Sequence, residues 1–389
     1  MFEPGTLEGV LASSQAWTNS LMTKKEFFDN QTDLTASKIL IYRQYLSSYL
    51  PKVLMQYGKC FIADFFCGPG KNGDKDGSPL VLIEVATKTL ASPVIAKKWP
   101  TAEIVIVFSD SNKGHCDSLS AHLKKMTIPS GIKILGPYCE DFTSIKTKAT
   151  AVFERISAPK FFFLDPFTYG DIGIDEVKEL MEVPASEVLM FLPTFHSYRF
   201  VKCAEEVGVL KTFLENFTDR GCADYEDIND FNESIRNKML KHMNLRYVRE
   251  VGLDDGAKKN ALFYLTKHIT GMLLMNKLVW KVAQDGVTVK AKRNNESTLF
   301  DLSVTSGNFA KIKQIFQGHI KEKKQLSNVE IIDFAAQNRF DTKYVNEILK
   351  EMKNQKLIDV EYKKADKKRG FYVADNNWNE KLAVISYKG

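Results

Sequence analysis

The chain has 389 residues, 44% of them hydrophobic and 26% charged, which is ordinary for a soluble globular protein of two or three domains. No run of about 20 apolar residues occurs, and the N-terminus lacks the basic-then-apolar order of a signal peptide, so we expect a cytoplasmic protein with no membrane span. The six cysteines form no C-x-x-C pair and the six histidines show no metal-ligand spacing. This pattern predicts reduced thiols and no metal site.

The first two thirds of the chain alternate helical and apolar patterns. Residues 1–35 are expected to be irregular, and apolar residues at helical spacing predict a helix over 36–56. Predicted strands follow at 60–66, 104–108, 132–135, 160–164, 188–192 and 260–266. Predicted helices lie at 79–90, 113–126, 176–181 and 271–282, the first with Ser78 as its N-cap. Apolar strands separated by helices predict a Rossmann-like, mostly parallel sheet covered by helices over residues 36–283.

Two segments interrupt or follow this predicted domain. Residues 203–257 are polar and partly acidic, with a predicted helix at 228–243, and we interpret them as an insertion or lid. Residues 284–305 are poor in hydrophobic side chains and are predicted to be a linker.

The C-terminal part predicts a winged helix-turn-helix domain over 306–374, followed by a tail at 375–389. Its predicted helices are 309–320, 327–340 and 341–355, the second capped by Ser327 with Glu330 three residues later and the third by Asp341. Predicted strands at 357–362 and 370–374 flank a basic loop. In this layout the helix beginning at Asp341 is the recognition helix.

Residues 306–374 hold fifteen Lys or Arg and nine Asp or Glu, a surplus equal to the net charge of +6 of the whole chain. A basic module on a neutral body favours nucleic acid as a partner, while a solvated lysine-rich surface is the alternative. The candidate nucleic-acid contacts are Lys343, Asn346, Lys363, Lys364, Lys367, Lys368, Arg369 and, outside this domain, Arg199.

The turn Gly68-Pro69-Gly70 follows an apolar strand, where glycine lets the backbone approach a ligand closely. A nucleotide-type cofactor, S-adenosylmethionine (SAM), is predicted there. Asp64 precedes the turn, Asp110 ends the next strand and is placed to bind ribose hydroxyls, and Asp141 is placed near adenine. For Asp110 and Asp141, an N-cap and a loop carboxylate are the alternatives. The candidate cofactor-binding residues are Asp64, Cys67, Gly68, Gly70, Asp110 and Asp141.

The sequence Asp165-Pro166-Phe167 resembles the D-P-P-[YF] signature of amino-group methyltransferases, although it has a single proline. The resemblance implies that Asp165 and the Pro166 carbonyl orient a target amine and that Phe167 stacks on a base. His268 follows a predicted strand and is a candidate general base, with a hydrogen-bonded structural histidine as the alternative.

Together these motifs resemble the three-Cys-motif partner family (TcmP). The motifs span 64–70, 77–79, 163–167 and 191–195, then Arg199, 266–268, Gly271, Met275 and Trp280. The resemblance covers about residues 35–285 and implies a core similar to class I SAM-dependent methyltransferases. It also implies a partner protein with a cysteine motif like that of radical SAM enzymes.

Two functions are compatible with these patterns. The first is a SAM-dependent methyltransferase acting on an exocyclic base amine of DNA or RNA, with the winged helix binding phosphates. The second is a SAM- or nucleotide-binding module that does not transfer methyl groups and targets a radical SAM-type partner to DNA.

Overall fold

The computed structural model describes residues 33–202, 208–283, 285–290, 306–363 and 370–388. The first ten strands are β1 (Lys59–Asp64), β2 (Lys71–Asn72), β3 (Lys75–Asp76), β4 (Glu103–Ser109), β5 (Ile132–Tyr138), β6 (Lys160–Leu164), β7 (Ser186–Leu192), β8 (Tyr247–Asp254), β9 (Lys259–Thr266) and β10 (Thr288–Lys290). Within these ranges, eight of them form the main sheet in the order β10-β8-β9-β7-β6-β1-β4-β5, and β2 pairs with β3 as a hairpin.

The main sheet is mostly parallel. Strands β5, β4, β1, β6 and β7 are parallel neighbours, and β9 is antiparallel to both β7 and β8. The chain order reverses at β1, which lies between β4 and β6. This arrangement confirms the predicted Rossmann-like fold, in which ligands bind outside the carboxyl ends of the strands at such a reversal.

Helices cover both faces of this sheet because successive side chains of each strand point to opposite sides and both sets are apolar. The helices of this part are α1 (Asp33–Tyr57), α2 (Ser78–Leu90), α3 (Pro93–Lys98), α4 (Lys113–Leu123), α5 (Phe142–Phe153), α6 (Ile174–Glu182), α7 (Thr194–Arg199), α8 (Gly208–Phe217), α9 (Ile228–His242) and α10 (Ile269–Val282). Helices α1, α2 and α10 pack on one face, and α5, α6, α8 and α9 on the other.

The predicted insertion or lid at 203–257 is wrong for the described part of that segment. Helices α8 and α9 bury Phe213, Phe217 and Phe231 in the core of the second face, and β8 is a strand of the main sheet. The polar residues between these apolar positions mark the exposed sides of ordinary core helices. Residues 203–207, which include Cys203, lie outside the described residues.

Residues 306–363 and 370–388, here called the C-terminal module, contain three helices and a small antiparallel sheet. The elements are α11 (Ser306–Lys323), β11 (Gln325–Ser327), α12 (Asn328–Gln337), α13 (Thr342–Asn354), β12 (Ile358–Tyr362) and β13 (Ala383–Tyr387), with strand order β11-β13-β12. The predicted caps at Ser327 and Asp341 are confirmed.

The predicted strand at 370–374 is wrong. The partner of β12 is β13, which falls in the segment interpreted as a tail, and Asp375–Asn377 forms a short 3-10 helix before it. Alternating Ala383 and Ile385 are fully buried, so β13 supplies the apolar face that the nearer segment lacks. Assignment of the module as a winged helix stays a prediction.

No helix in the described ranges combines the length and the apolar character needed to cross a membrane.

Candidate functional site at the carboxyl edge of the sheet

Three carboxylates predicted from the sequence lie at one edge of the main sheet. Asp64 is the last residue of β1, Asp110 directly follows β4, and Asp165 directly follows β6. Since these three strands are parallel neighbours, their carboxyl ends share an edge, here called the carboxyl edge. The glycine turn and Asp165 therefore lie at the same edge, at the reversal of strand order.

The glycine turn after β1 depends on conformations that suit glycine. Gly68 and Gly70 have φ of 64° and 89°. A Cβ atom added at Gly70 would also lie 3.0 Å from Leu119 Cδ1, because α4 packs closely on the turn. The turn then closes through a hydrogen bond of 2.8 Å from Gly77 N to Gly70 O. Glycine is thus required here by both backbone angle and close packing.

Asp110 fastens the glycine turn to the next strand. Its Oδ2 accepts from Gly68 N at 2.9 Å, and its Oδ1 accepts from Asn112 N at 2.8 Å and pairs with His115 Nδ1 at 3.1 Å. Burial acts to raise the pKa of Asp110, but the hydrogen bonds from His115, Asn112 and Gly68 outweigh it and hold the pKa below its usual range. A carboxylate offers about four acceptor positions, so about one remains for a ligand. The N-cap of α4 is Asn112 rather than Asp110.

Asp64 is fully buried beneath the turn. Its Oδ2 accepts from Ser78 Oγ at 2.6 Å and its Oδ1 from Phe66 N at 3.3 Å. Burial raises the pKa of Asp64 to about 7, with Asp165 and Asp110 adding to the rise. In this arrangement Asp64 supports the turn from below instead of touching a cofactor. Ser78 is used by this contact, which explains why the N-cap of α2 is Gly77 and not Ser78 as predicted.

Asp165 is paired with a lysine that sequence reasoning missed. Lys38 Nζ lies 2.5 Å from Asp165 Oδ2 and 4.6 Å from the centre of the Phe191 ring. The Lys38 side chain is 6% exposed and that of Asp165 21% exposed. A signal was available in the sequence, since Lys38 precedes Tyr42 by four residues and so lies on the apolar face of α1.

Helix α1 runs across the sheet from this edge to the opposite one. Beyond Tyr42, which packs on Phe163 with ring centres 4.3 Å apart, the same face carries Tyr45. The Tyr45 hydroxyl donates to Glu187 Oε2 at 2.6 Å, deep in the first-face core. The helix therefore links the candidate site to a buried polar cluster at the amino ends of the parallel strands.

That cluster explains one of the motifs singled out in the sequence. The hydroxyls of Tyr45, Tyr264 and Thr266 surround the partly buried Glu187 carboxylate. A Cβ atom added at Gly271 would lie 2.4 Å from Tyr264 Oη and 2.5 Å from Glu187 Oε1. Gly271 thus allows α10 to pack directly on the cluster. Its place among the sequence motifs is therefore explained by packing.

His268 lies away from the carboxyl edge, so its prediction as a residue of the pocket is wrong. The preceding strand β9 is antiparallel, and its last residue Thr266 pairs with Glu187 at the start of β7. His268 caps α10, its Nδ1 lies 2.7 Å from Thr270 Oγ1, and its ring packs edge-on against Trp378. The alternative of a hydrogen-bonded structural histidine describes it.

The other candidate residues lie in the body, the domain built on the main sheet, either at the carboxyl edge or in supporting positions. Pro166 is buried and Phe167 half-buried beside Asp165, and exposed Arg199 ends α7, which starts just after β7 at the carboxyl edge. The Cys67 side chain is 3% exposed and belongs to the apolar core. Asp141 caps α5 by accepting from Ser144 N at 2.9 Å, in agreement with its interpretation as a loop carboxylate.

The candidate nucleic-acid contacts in the C-terminal module differ in their exposure and hydrogen bonding. Lys343 and Lys363 are exposed. Asn346 Nδ2 donates to Thr342 O at 2.9 Å and to Val373 O at 2.5 Å, so its amide is occupied by backbone carbonyls and is unsuited to base readout. Four further candidates lie outside the described residues, namely Lys364, Lys367, Lys368 and Arg369.

The turn between α12 and α13 is docked on the body. Arg339, at φ 65°, pairs with Glu233 at 2.7 Å and with Glu250. Its carbonyl oxygen accepts from Arg249 Nη1 at 2.6 Å and from Trp280 Nε1 at 2.7 Å. Arg249 is fully buried, and burial lowers its pKa to about 9.

A second set of contacts extends this interface. Asp333 of α12 pairs with Arg246 and accepts from the Tyr247 hydroxyl at 2.5 Å. Tyr344, in the first turn of α13, packs on Trp280 with ring centres 5.1 Å apart. The face of α13 that carries Tyr344 thus packs on the body.

Comparison with known proteins adds little to this description. No protein-family model matches the chain, and no curated protein matches its sequence. Among solved structures, a DUF574 family protein from Streptomyces avermitilis matches at 11% identity over 58% of this chain and 83% of that chain, with a TM-score of 0.30. The methyltransferase PaMTH1 of Podospora anserina, solved with S-adenosylhomocysteine (SAH), matches at 12% identity over 69% and 99%, with a TM-score of 0.27. The fold assignment rests on strand order and not on these similarities.

Proposed function

We propose that the protein binds SAM at the carboxyl edge of its sheet and transfers the methyl group to an amine held at Asp165. The observation that carries this proposal is the position of Asp165, one strand away from a glycine turn fastened by a buried carboxylate. In a sheet of this order the cofactor and the acceptor would occupy neighbouring strand ends.

The residues of the edge fit such a cofactor. SAM carries an ammonium and a sulfonium cation, and Asp110 and Asp165 place two carboxylates at the edge, the second of them paired with the Lys38 ammonium. Asp110 retains about one acceptor position for a ribose hydroxyl. The hydroxyls of Tyr42 and Thr194 are buried without a hydrogen-bond partner among the described residues, and Thr194 lies two residues after the carboxyl end of β7.

When bound, SAM supplies an electrophilic methyl group, and the chain's own residues position the acceptor. In the proposed mechanism Asp165 and the Pro166 carbonyl accept hydrogen bonds from the target amine and aim its lone pair. Asp165 then takes the proton released as the new C–N bond forms. Lys38 donates to Asp165 Oδ2, so the target amine must either use Oδ1 or displace the ammonium. Positioning of this kind accounts for most of the expected rate gain.

The proposed substrate is an exocyclic base amine in DNA or RNA. Support comes from exposed Arg199 at the carboxyl edge and from the exposed lysines Lys343 and Lys363 of the C-terminal module. A duplex target would have to be flipped to reach the partly buried Asp165 carboxylate. Phe167, beside Asp165, is the proposed stacking surface.

The decisive experiment measures methyl transfer from labelled SAM to bulk DNA, RNA and free nucleosides. Asp165→Asn should reduce turnover at least about a hundredfold while SAH affinity stays within about threefold. Asp117→Asn, at an exposed position of α4, is the matched control and should keep full activity. Undiminished turnover of Asp165→Asn would remove that residue from the mechanism.

A second candidate function is a SAM- or nucleotide-binding module without methyl transfer, serving as the DNA-targeting partner of a three-Cys-motif, radical SAM-type protein. The ion pair between Lys38 and Asp165 favours it, as does the single proline after Asp165. Lys38→Met separates the two candidates, since it frees Asp165 for an acceptor. SAH binding with no methyl transfer by either the wild type or Lys38→Met would favour the second candidate.

A further inference from the structure

Two cysteine thiols meet beside Asp110, at the tips of neighbouring strands. Cys116 lies in the first turn of α4, and Cys139 directly follows β5. Cys116 Sγ lies 3.3 Å from Asp110 O and 3.5 Å from Tyr138 O, while Cys139 Sγ lies 3.8 Å from Ser111 O. Each thiol therefore reaches the segment that carries the other.

The two thiols differ in access to solvent. Cys139 is exposed, whereas Cys116 is 4% exposed. Burial, with the neighbouring Cys139 as a further cause, raises the pKa of Cys116 to about 11. An exposed thiol beside a buried one is the arrangement in which an oxidant reaches the first and the second resolves the product.

We propose that Cys116 and Cys139 form a redox-active dithiol that closes to a disulfide when the protein meets a peroxide. The Cys139 thiolate attacks one peroxide oxygen and becomes a sulfenic acid, releasing hydroxide. The Cys116 sulfur then attacks the Cys139 sulfur, and the S–S bond forms as a second hydroxide leaves. Two protons from the thiols convert both hydroxides to water, so the dithiol loses two electrons and the peroxide gains them.

The disulfide would join the loop after β4 to the loop after β5. Tyr138 O already accepts from Asp110 N at 3.1 Å and from Ser109 Oγ at 3.1 Å. A covalent link added to these contacts would restrict the segment from which Asp110 fastens the glycine turn. This inference does not depend on the proposed function, since it concerns only the chain's own thiols.

The test treats the folded full-length chain with hydrogen peroxide, blocks free thiols under denaturing conditions and maps the peptides by mass spectrometry. We expect the count of free thiols to fall by two, a Cys116–Cys139 peptide that dithiothreitol releases, and slower amide exchange in 110–116 and 138–141. Cys222→Ser, which alters a cysteine elsewhere, should form the same link as the wild type.

Two variants make the result decisive. Cys139→Ser should leave Cys116 reduced, and Cys116→Ser should stop at a Cys139 sulfenic acid that dimedone traps. If Cys116→Ser does not fold, Cys139→Ser alone still tests the link. Wild-type protein in which Cys139 becomes sulfinic acid or pairs with any other cysteine, while Cys116 stays reduced, would overturn the proposal.

Discussion

The carboxyl edge of the sheet and the turn between α12 and α13 are both rich in polar side chains, but those side chains serve different ends. At the carboxyl edge, Asp110 keeps acceptor capacity after fastening the glycine turn. At the turn, the Arg339 side chain and carbonyl are both engaged by the body. A polar group can serve a ligand only with the hydrogen-bonding capacity that the fold leaves unused.

The comparison also separates two kinds of sequence signal. A glycine turn after a buried strand predicts where its neighbouring residues lie in the fold, because the strand ends of a parallel sheet meet at one edge. A surplus of lysine specifies only a total charge. In the C-terminal module the face beginning with Tyr344 packs against Trp280, while Lys343 one residue earlier is exposed. Charge alone does not distinguish these faces.

The largest expected effect concerns the docked turn. Arg339→Met should lower the free energy of unfolding by about 3–5 kcal/mol, because Glu250, only 6% exposed, would lose a charged partner. Arg220→Met is the control, since its pair with Asp230 is more exposed and should be worth about 1 kcal/mol or less. Urea denaturation of both variants measures the difference. Equal losses would mean that the turn is only loosely docked.

The buried carboxylate beneath the glycine turn should make stability depend on pH. The folded pKa of Asp64, about 7, lies above its ordinary value of 3.8, so protonated Asp64 stabilises the fold below about pH 4. That contribution is lost as pH rises to about 7. Asp64→Asn should therefore gain stability relative to the wild type across this window, by about 4 kcal/mol at most.

Denaturation midpoints of Asp64→Asn and the wild type at about pH 4.5 and about pH 7.5 measure this gain in stability. Asp117→Asn is the control and should follow the wild-type profile, since Asp117 is exposed on α4. A difference between Asp64→Asn and wild type that stays constant with pH would contradict the assignment of Asp64 as a supporting group beneath the turn.

Two helical glycines offer a matched test of packing at the amino ends of the strands. Gly271→Ala should destabilise the fold by about 1–3 kcal/mol, because its Cβ would overlap Tyr264 Oη and Glu187 Oε1. Gly318→Ala in α11 meets nothing within 4 Å and should stabilise slightly, by about 0.5–1 kcal/mol. Thermal unfolding would compare them. A neutral Gly271→Ala would show that α10 is not held tightly on the polar cluster.

The smallest expected effect tests base readout by α13. Asn346→Ala should leave nucleic-acid sequence preference unchanged and cost about 1 kcal/mol of stability, because both amide donors bond to backbone carbonyls. Lys343→Gln should weaken binding to all sequences alike and reduce the log–log salt slope by about one. Fluorescence anisotropy at several salt concentrations measures both. Altered base preference in Asn346→Ala would contradict the structural role.

Much of the body could be predicted because periodicity and strand ends are local signals. The five parallel strands and the positions of Asp64, Asp110 and Asp165 followed from apolar runs that end in polar turns. The direction in which a strand runs in the sheet could not be predicted from its own residues. His268 follows a strand just as Asp165 does, yet β9 runs the other way, which places His268 beside the start of β7.

The partners of buried polar groups were likewise beyond the sequence. Lys38 and Asp165 are 127 residues apart, and Arg249 reaches the carbonyl of Arg339 from 90 residues away. Such pairs depend on how helices pack on the sheet, which no local pattern encodes. The same limit applies to β12, which pairs with β13 in the segment that was interpreted as a tail.

Calorimetric titration of the full-length chain with SAH tests the central claim most directly. The account predicts binding to the wild type, a loss of at least about tenfold in affinity for Asp110→Ala, and wild-type affinity for Asp117→Ala, with circular dichroism confirming that all three are folded. The control changes the same residue type at an exposed position of α4. Absence of SAH binding by folded wild-type protein, or equal affinity of Asp110→Ala and wild type, would contradict a cofactor site at the carboxyl edge.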